Sequence, residues 1–100
     1  MLFRSADEIH GEAGNDRLIG GGGSDTMFGG DGLDFMKGSK HSDHLFGDAG
    51  NDKLLGNAGD DTLDGGPDDD VLRGGLDSDT CDGTDGVDTA VSCETLTTLP

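Results

Sequence analysis

The sequence predicts an all-β solenoid, and two observations predict it: a strict nine-residue period and one inward apolar residue in each repeat. In the frame that starts at Gly11, Asp holds the sixth position without exception from Asp7 to Asp88. The eighth position is apolar, as in Leu54 and Leu63. Gly occupies the first position at Gly11, Gly20, Gly29, Gly38, Gly47, Gly56, Gly65, Gly74 and Gly83.

Each repeat divides into a six-residue loop and a three-residue extended segment. Gly at the first and fourth positions, as in Gly47 and Gly50, allows a tight turn without a Cβ clash. The last three positions read x-apolar-x, as in Lys53-Leu54-Leu55, so that one side chain points inward and its neighbours outward. Three residues do not form a stable isolated strand, and we therefore expect the segments to stack on copies of themselves.

The odd period places successive loops on opposite sides when each short strand is followed by a reversal. Two repeats then form one coil of 18 residues, and about five coils stack to give two parallel sheets. Neighbouring strands in each sheet are expected to lie roughly 4.8 Å apart. One sheet is predicted to bury Ile9, Met27, Leu45, Leu63 and Cys81, and the other Leu18, Met36, Leu54, Leu72 and Ala90.

The sixth-position carboxylates stack in the same way and predict metal sites along both edges. One edge carries Asp7, Asp25, Asp43, Asp61 and Asp79, and the other Asp16, Asp34, Asp52, Asp70 and Asp88. Carboxylates at this spacing repel each other unless a cation lies between them. An all-oxygen site of carboxylates and loop carbonyls suits Ca²⁺ better than Mg²⁺, and the gaps allow at most about eight ions.

The repeats match GGxGxDxUx, and the chain resembles the RTX (haemolysin-type) calcium-binding nonapeptide family from about Gly11 to Val91. The resemblance implies a parallel β-roll that holds Ca²⁺ between the loops of adjacent coils. It also implies that the sixth-position Asp residues bind through their side chains and the other loop positions through carbonyl oxygens. The expected carbonyl ligands belong to Gly11, Ala13, Gly14, Asn15, Gly29, Asp31, Gly32, Gly47, Ala49, Gly50, Asn51, Gly56, Ala58, Gly59, Gly65 and Gly74.

The array has a degenerate start and a short tail. Residues 1–10 are expected to form an N-terminal cap, residues 11–91 nine nonapeptides, and residues 92–100 a C-terminal tail or cap. Leu2, Arg4 and Ser5 stand where Gly is expected in the first unit. A site between Asp7 and Asp25 should therefore be weak or absent.

Some internal loops also depart from the pattern. Ser39 and His41 replace Gly in the fourth full repeat, and we expect His41 to fit the turn poorly and to weaken the two sites that use Asp43. Asp68 and Asp77 hold the fourth position in later repeats. Because Asp tolerates a positive φ better than most residues, those loops should keep their shape.

Cys81 and Cys93 are the two cysteines of the chain. They are interpreted either as a buried small thiol and an unrelated one or as a disulfide that closes the C-terminal end of the solenoid. The disulfide is favoured because solenoid ends need caps and because calcium-loaded repeats suit an oxidising compartment.

Composition excludes several classes of function. Acidic residues number 22 against six basic ones, a formal charge of −16 that would repel nucleic acid. The chain shows no membrane span, no nucleophile–base pair and no phosphate loop. The histidines fall at unrelated repeat positions, which favours solvated side chains over a zinc site. Phe28 and Phe46 are predicted to be outward neighbours, a candidate surface for docking to another domain or chain.

These observations predict a non-enzymatic, extracellular module that binds several Ca²⁺ ions and folds on binding them after export. Low apolar content and high charge are typical of a chain that does not fold without metal. The alternatives are a repeat fragment of a larger secreted protease, lipase or toxin, and an adhesive module.

Overall fold

The computed structural model describes residues 8–83, 86–93 and 95–97, the last three by their backbone. Asp7, a predicted metal ligand, lies outside these residues. All regular structure is β: β1 (Glu8–His10), β2 (Arg17–Ile19), β3 (Thr26–Phe28), β4 (Phe35–Ser39), β5 (His44–Phe46), β6 (Lys53–Asn57), β7 (Thr62–Asp64), β8 (Val71–Gly75), β9 (Thr80–Asp82), β10 (Thr89–Val91) and β11 (Thr95–Thr97). The described part of the chain contains no helix with the length and apolarity that a membrane span requires.

The strands form two parallel sheets, which confirms the predicted two-sheet solenoid. Sheet A has the order β1-β3-β5-β7-β9-β11, and sheet B the order β10-β8-β6-β4-β2. Odd-numbered strands therefore build one sheet and even-numbered strands the other. Their register is the predicted offset of two repeats, as in the pairs Met27↔Leu45 and Leu54↔Leu72.

A single row of side chains from each sheet fills the space between them. The fully buried members are Met27, Met36, Leu45, Leu54, Leu63, Leu72 and Cys81. Ile9, Leu18 and Ala90 pack against this core but are only partly buried. They lie in the outermost coils, where an eighth-position side chain has a neighbouring coil on one side only.

Three strands of sheet B are longer than the predicted three residues. β4, β6 and β8 continue into the second position of the following repeat, where Ser39 pairs with Asn57 and Asn57 with Gly75. All three of these residues have a positive φ, of 81°, 71° and 96° respectively. Because the same unusual backbone recurs one coil later, the strands remain parallel and the pairing continues into the loop.

The loop that contains His41 keeps its turn, contrary to expectation. His41 adopts φ 72°, close to the values of Asp68 (78°) and Asp77 (75°) at the same repeat position. Because the His41 side chain is exposed, the main energetic cost of placing His at this position is the left-handed backbone conformation. The prediction that Asp68 and Asp77 would preserve their loops is confirmed.

The C-terminal segment is not a simple tail. β11 pairs with β9 through Thr95↔Thr80, an offset of 15 residues instead of 18. A disulfide joins Cys81 of β9 to Cys93, with the Cα atoms 5.9 Å apart. This bridge ties the end of the chain to the last inward position of sheet A, and the favoured disulfide interpretation is confirmed.

Candidate metal centres

The sixth-position Asp residues form two buried columns, one beneath each row of loops. Asp25, Asp34, Asp43, Asp52, Asp61, Asp70 and Asp79 are at most 3% exposed, and Asp88 is 9% exposed. Each lies just before a strand, where the short Asp side chain folds back under its own loop. The structure therefore stacks each predicted carboxylate near the one 18 positions away in the sequence, along both edges of the solenoid.

One carboxylate oxygen of each sixth-position Asp from Asp34 to Asp88 connects neighbouring coils. The backbone N–H of Asp43 donates to Oδ1 of Asp61 at 2.7 Å, and the N–H of Asp52 donates to Oδ1 of Asp70 at 2.7 Å. The same bond recurs along both edges, from Asp16 N–H to Asp34 Oδ1 (2.9 Å) through Asp70 N–H to Asp88 Oδ1 (2.7 Å). The sequence pattern predicted metal binding by these side chains but did not predict this use of Oδ1.

The second carboxylate oxygen is left for another partner. Oδ2 of Asp16, Asp43, Asp61 and Asp70 is buried and makes no hydrogen bond. A buried carboxylate oxygen without a partner is costly, and this cost is removed by a bound cation. The orphaned oxygens therefore fit a metal ion.

The first-position glycines show what lies next to these oxygens. A Cβ atom on Gly47 would lie 2.7 Å from Oδ2 of Asp52 and 2.7 Å from the carbonyl oxygen of Gly65. A Cβ atom on Gly29 would lie 2.7 Å from Oδ2 of Asp34 and 2.8 Å from the Gly47 carbonyl oxygen. A carboxylate oxygen and a carbonyl oxygen thus converge on a space that Gly keeps open. Oxygen ligands of both kinds are those that Ca²⁺ prefers.

The remaining ligands must come from the backbone. Among the described residues, no group of three or more His, Cys, Asp or Glu side chains is placed to hold a metal. Sites of this kind need carbonyl oxygens to complete the coordination, as the repeat pattern predicts. One of the predicted carbonyls, that of Asp31, also accepts a hydrogen bond from Gly14 N–H at 3.1 Å.

The electrostatics of the metal-free columns favour protonation. Burial raises the pKa of Asp43, Asp61 and Asp70 to about 7 and that of Asp52 to about 8. Neighbouring carboxylates add to this increase, and the hydrogen bonds from backbone N–H groups oppose it. The pKa of Asp34 is raised for the same first reason. A cation would reverse the effect, since an adjacent positive charge stabilises the ionised form.

A second set of polar side chains stabilises the outer loops. Asn51 Oδ1 accepts the N–H of Asp69 at 2.9 Å, and Asp69 Oδ1 accepts the N–H of Val87 at 2.7 Å. Asp48 Oδ2 and Asp68 Oδ2 accept loop N–H groups at 3.2 and 2.9 Å. Every one of these bonds spans 18 residues. The recurrence of Asn and Asp at loop positions two, four and five was the sequence signal that could have predicted them.

The family of the chain follows from its repeats. The family model for the RTX calcium-binding nonapeptide repeat (4 copies) matches residues 4–36, 37–72 and 55–90. No curated protein and no solved structure matches the chain. The repeat model covers most of the sequence, and the parallel two-sheet solenoid with its carboxylate columns is the architecture expected of such repeats. The chain belongs to the RTX calcium-binding nonapeptide repeat family.

Proposed function

We propose that this β-roll is an extracellular folding switch, in which Ca²⁺ binding by the Asp columns and folding are one event. The observation that carries the proposal is at Asp34 and Asp52, whose buried Oδ2 atoms have no hydrogen-bond partner and each lie beside a backbone carbonyl oxygen and a space that Gly keeps open. Without metal, folding must bury these carboxylates in protonated form or leave their charge uncompensated. With Ca²⁺, the same burial becomes favourable.

The sites extend along both edges of the roll. Side-chain ligands are Asp16, Asp25, Asp34, Asp43, Asp52, Asp61, Asp70, Asp79 and Asp88, with Asp7 retained from the sequence pattern, and carbonyl oxygens of the loops complete each cage. Each of these carboxylates has a counterpart 18 residues away on the same edge. At most about eight ions are accommodated between successive coils.

Charge and composition support the coupling of binding to folding. The chain carries a formal charge of −16 and only four aromatic residues, all of them Phe. Self-repulsion opposes the compact state, and the single-row core offers little apolar burial to offset it. For sites with Kd of about 10–100 μM, millimolar Ca²⁺ adds about 1.5–2.7 kcal/mol of stability per site. Several such sites acting together give a steep response to Ca²⁺.

An extracellular location is proposed on two grounds. The disulfide between Cys81 and Cys93 requires an oxidising compartment in most organisms. Millimolar Ca²⁺, outside the cell, is the condition under which weak cooperative sites fill. The chain would then stay unfolded during export and fold afterwards.

Far-UV circular dichroism tests this function. Ca²⁺ is titrated into the EDTA-treated chain with its disulfide intact, and Mg²⁺ is the control metal. We expect a cooperative change from coil to β structure with Ca²⁺ and none with Mg²⁺. A chain that is already rich in β structure in EDTA at neutral pH would show that the core and the disulfide suffice, and the folding switch would be refuted.

A docking role is the second candidate, and one contact favours it. The rings of Phe28 and Phe46 stack with centroids 5.0 Å apart on the outside of sheet A, as the repeat spacing predicts. Replacing both by Ser should leave Ca²⁺-dependent folding intact and weaken any association through this surface. Unchanged association would exclude the Phe pair from docking.

A further inference from the structure

The outward side chains of sheet B form a surface with a charge opposite to that of the chain. This surface, here called the basic face, consists of Arg17, Ile19, Phe35, Lys37, Lys53, Leu55, Val71, Arg73, Thr89 and Val91. It holds four of the six Lys and Arg residues of the sequence and no acidic residue. Such segregation is notable in a chain of formal charge −16.

Cations and apolar residues alternate on the basic face from strand to strand. Arg17 pairs with Phe35, and Phe35 pairs in turn with Lys53 on the next strand. The Arg17 guanidinium lies 5.2 Å from the centroid of the Phe35 ring. Ile19, Val71 and Val91 are 49%, 39% and 43% exposed. A contiguous exposed surface that mixes apolar groups with cations is typical of an interaction site.

The outward side chains of sheet A form the complementary surface. This acidic face consists of Glu8, His10, Thr26, Phe28, His44, Phe46, Thr62, Asp64, Thr80 and Asp82. It contains three acidic residues and neither Lys nor Arg. It also contains a column of stacked rings, in which the ring centroids of His10 and Phe28 lie 4.8 Å apart and those of Phe28 and Phe46 lie 5.0 Å apart.

We propose that the basic face of one copy docks on the acidic face of a second copy of this chain. The two faces carry opposite charge, and each also has apolar side chains. Those of the basic face include the exposed Ile19, Val71 and Val91, and those of the acidic face are the half-buried Phe28 and Phe46. Both are built on parallel strands with the same 18-residue register, so strands of one copy can lie over strands of the next in a regular way. An anionic lipid surface would also attract the basic face by its charge. The acidic face of a second copy matches the basic face in strand spacing as well as in charge.

The two faces lie on opposite sides of one thin body, whose shortest dimension is 13 Å. A contact between two different faces is heterologous, and each added copy leaves one free face of each kind. The association is therefore open-ended and gives stacks of increasing mass instead of a closed dimer.

The proposal rests on the Ca²⁺-loaded roll of the proposed function. In the metal-free chain the formal charge of −16 opposes approach of a second copy. Bound Ca²⁺ removes much of this repulsion and leaves the faces unchanged, because the Asp columns lie beneath the loops and not on the sheets. Stacking should therefore require Ca²⁺.

The test is sedimentation velocity of the disulfide-intact chain in millimolar Ca²⁺ over a range of protein concentrations, with circular dichroism of the same samples. We expect the mean mass to rise with concentration beyond that of a dimer. Lys53→Glu should weaken the association about tenfold. Lys40→Glu is the matched control, because Lys40 is an exposed loop residue outside both faces and its reversal changes the net charge equally. Equal weakening by the two variants would overturn the proposal.

A mixing experiment tests the heterologous geometry. Lys37→Gln/Lys53→Gln keeps the acidic face intact, and Asp64→Asn/Asp82→Asn keeps the basic face intact. Each variant alone should be monomeric, and a mixture of the two should form one-to-one pairs that do not grow further. A mixture that stays monomeric, or a single variant that stacks as strongly as the wild type, would contradict the contact.

The remaining outcomes separate this proposal from the folding switch. A chain that folds with Ca²⁺ but remains monomeric refutes stacking and leaves the switch intact. A chain already folded in EDTA that stacks only after Ca²⁺ is added refutes the switch and supports the contact. A chain that is unfolded in both conditions refutes both. A monomeric chain that sediments with phosphatidylserine vesicles, but not with phosphatidylcholine vesicles, would show that the basic face binds lipid and not a second copy.

Discussion

Asp43 and Asp61 lie one coil apart on the same edge, and the two oxygens of the Asp61 carboxylate have different roles. The backbone N–H of Asp43 donates to Oδ1 of Asp61 at 2.7 Å, while Oδ2 of Asp61 is buried without a hydrogen-bond partner. The first oxygen holds two coils in register whether or not metal is present. The second oxygen raises the free energy of the stacked coils until a cation is bound. Repeated along both edges, this division of roles would let one residue type both build the roll and, under the proposed function, make it depend on Ca²⁺.

Replacing Asp61 by Asn tests this division directly. The amide oxygen can still accept the Asp43 N–H, but the charge that binds Ca²⁺ is lost. We expect the Ca²⁺ midpoint of folding to rise by about tenfold, equivalent to about 1.4 kcal/mol, in a titration followed by circular dichroism. The metal-free chain should not lose stability, because a neutral amide is cheaper to bury than a carboxylate.

Asp31→Asn provides the matched control for that substitution. Asp31 is an exposed side chain at the third loop position, so the same chemical change leaves both Asp columns intact. Its Ca²⁺ midpoint should stay near that of the wild type. Equal shifts for the two variants would mean that total charge, and not the sixth-position ligand, governs the response.

Acid should partly replace Ca²⁺ as a stabiliser of the roll. Burial raises the pKa of Asp43, Asp61 and Asp70 to about 7, above the ordinary value of 3.8 that holds in the unfolded chain. The folded state therefore binds more protons between these values, and its stability falls as pH rises from about 4 to about 7. In EDTA, the β signal should increase as the pH is lowered through this range.

Protons and Ca²⁺ should also compete. Because Ca²⁺ binds the ionised carboxylates, and those of the unfolded chain have the ordinary pKa of 3.8, the Ca²⁺ midpoint of folding should move to higher concentration as the pH falls toward about 4. Binding at neutral pH should release few protons from an unfolded chain, and more from a chain that is already folded with raised pKa values. Calorimetry in buffers of different ionisation enthalpy measures that release. A Ca²⁺ midpoint that does not rise as the pH is lowered to about 4 would show that these carboxylates are not the ligands.

Gly47 should tolerate no side chain. A Cβ atom there would meet Oδ2 of Asp52 and the carbonyl oxygen of Gly65, each at 2.7 Å, in the space assigned to the metal. Gly47→Ala is expected to lower the stability of the Ca²⁺-loaded form by about 2 kcal/mol and to raise the Ca²⁺ midpoint. Thermal unfolding at a fixed Ca²⁺ concentration gives the first quantity, and the titration gives the second.

Gly22→Ala is the control for Gly47→Ala. Gly22 holds the third loop position, where Ala13, Ala49 and Ala58 already occur, and its φ is not positive. It should behave like the wild type. If both variants lose the same stability, general loss of backbone freedom would explain the result and the open space at the first position would not.

Reduction of the disulfide should destabilise the last coils. The bridge closes a sequence separation of 12 residues, for which the constraint on the unfolded chain contributes about 3 kcal/mol. We expect a lower melting temperature with reductant at a fixed Ca²⁺ concentration. The variant Cys81→Ala/Cys93→Ala should melt at the reduced temperature and should not respond to reductant. Equal melting of the oxidised and reduced wild type would refute a stabilising role.

The repeat by itself determined the two-sheet fold, the register and the direction of each side chain. A period of nine alternates the sheets, and the same residue type returns to the same environment every second repeat. That is why Leu45 and Leu63 could be assigned to one core row, the sixth-position Asp residues to two columns, and Phe28 and Phe46 to one outer column. The family followed from the same positions.

Only the tertiary structure decided the features that depend on distances between coils. The separate roles of Oδ1 and Oδ2 in Asp61, the positive φ of His41 and the five-residue strands of sheet B arise from how one loop lies on the next. So does the early return of β11 onto β9 beside the Cys81–Cys93 bridge. A period fixes which residues are neighbours, because stacking repeats the same geometry. It does not fix which atoms of those neighbours meet, because that depends on the close approach of two folded backbones.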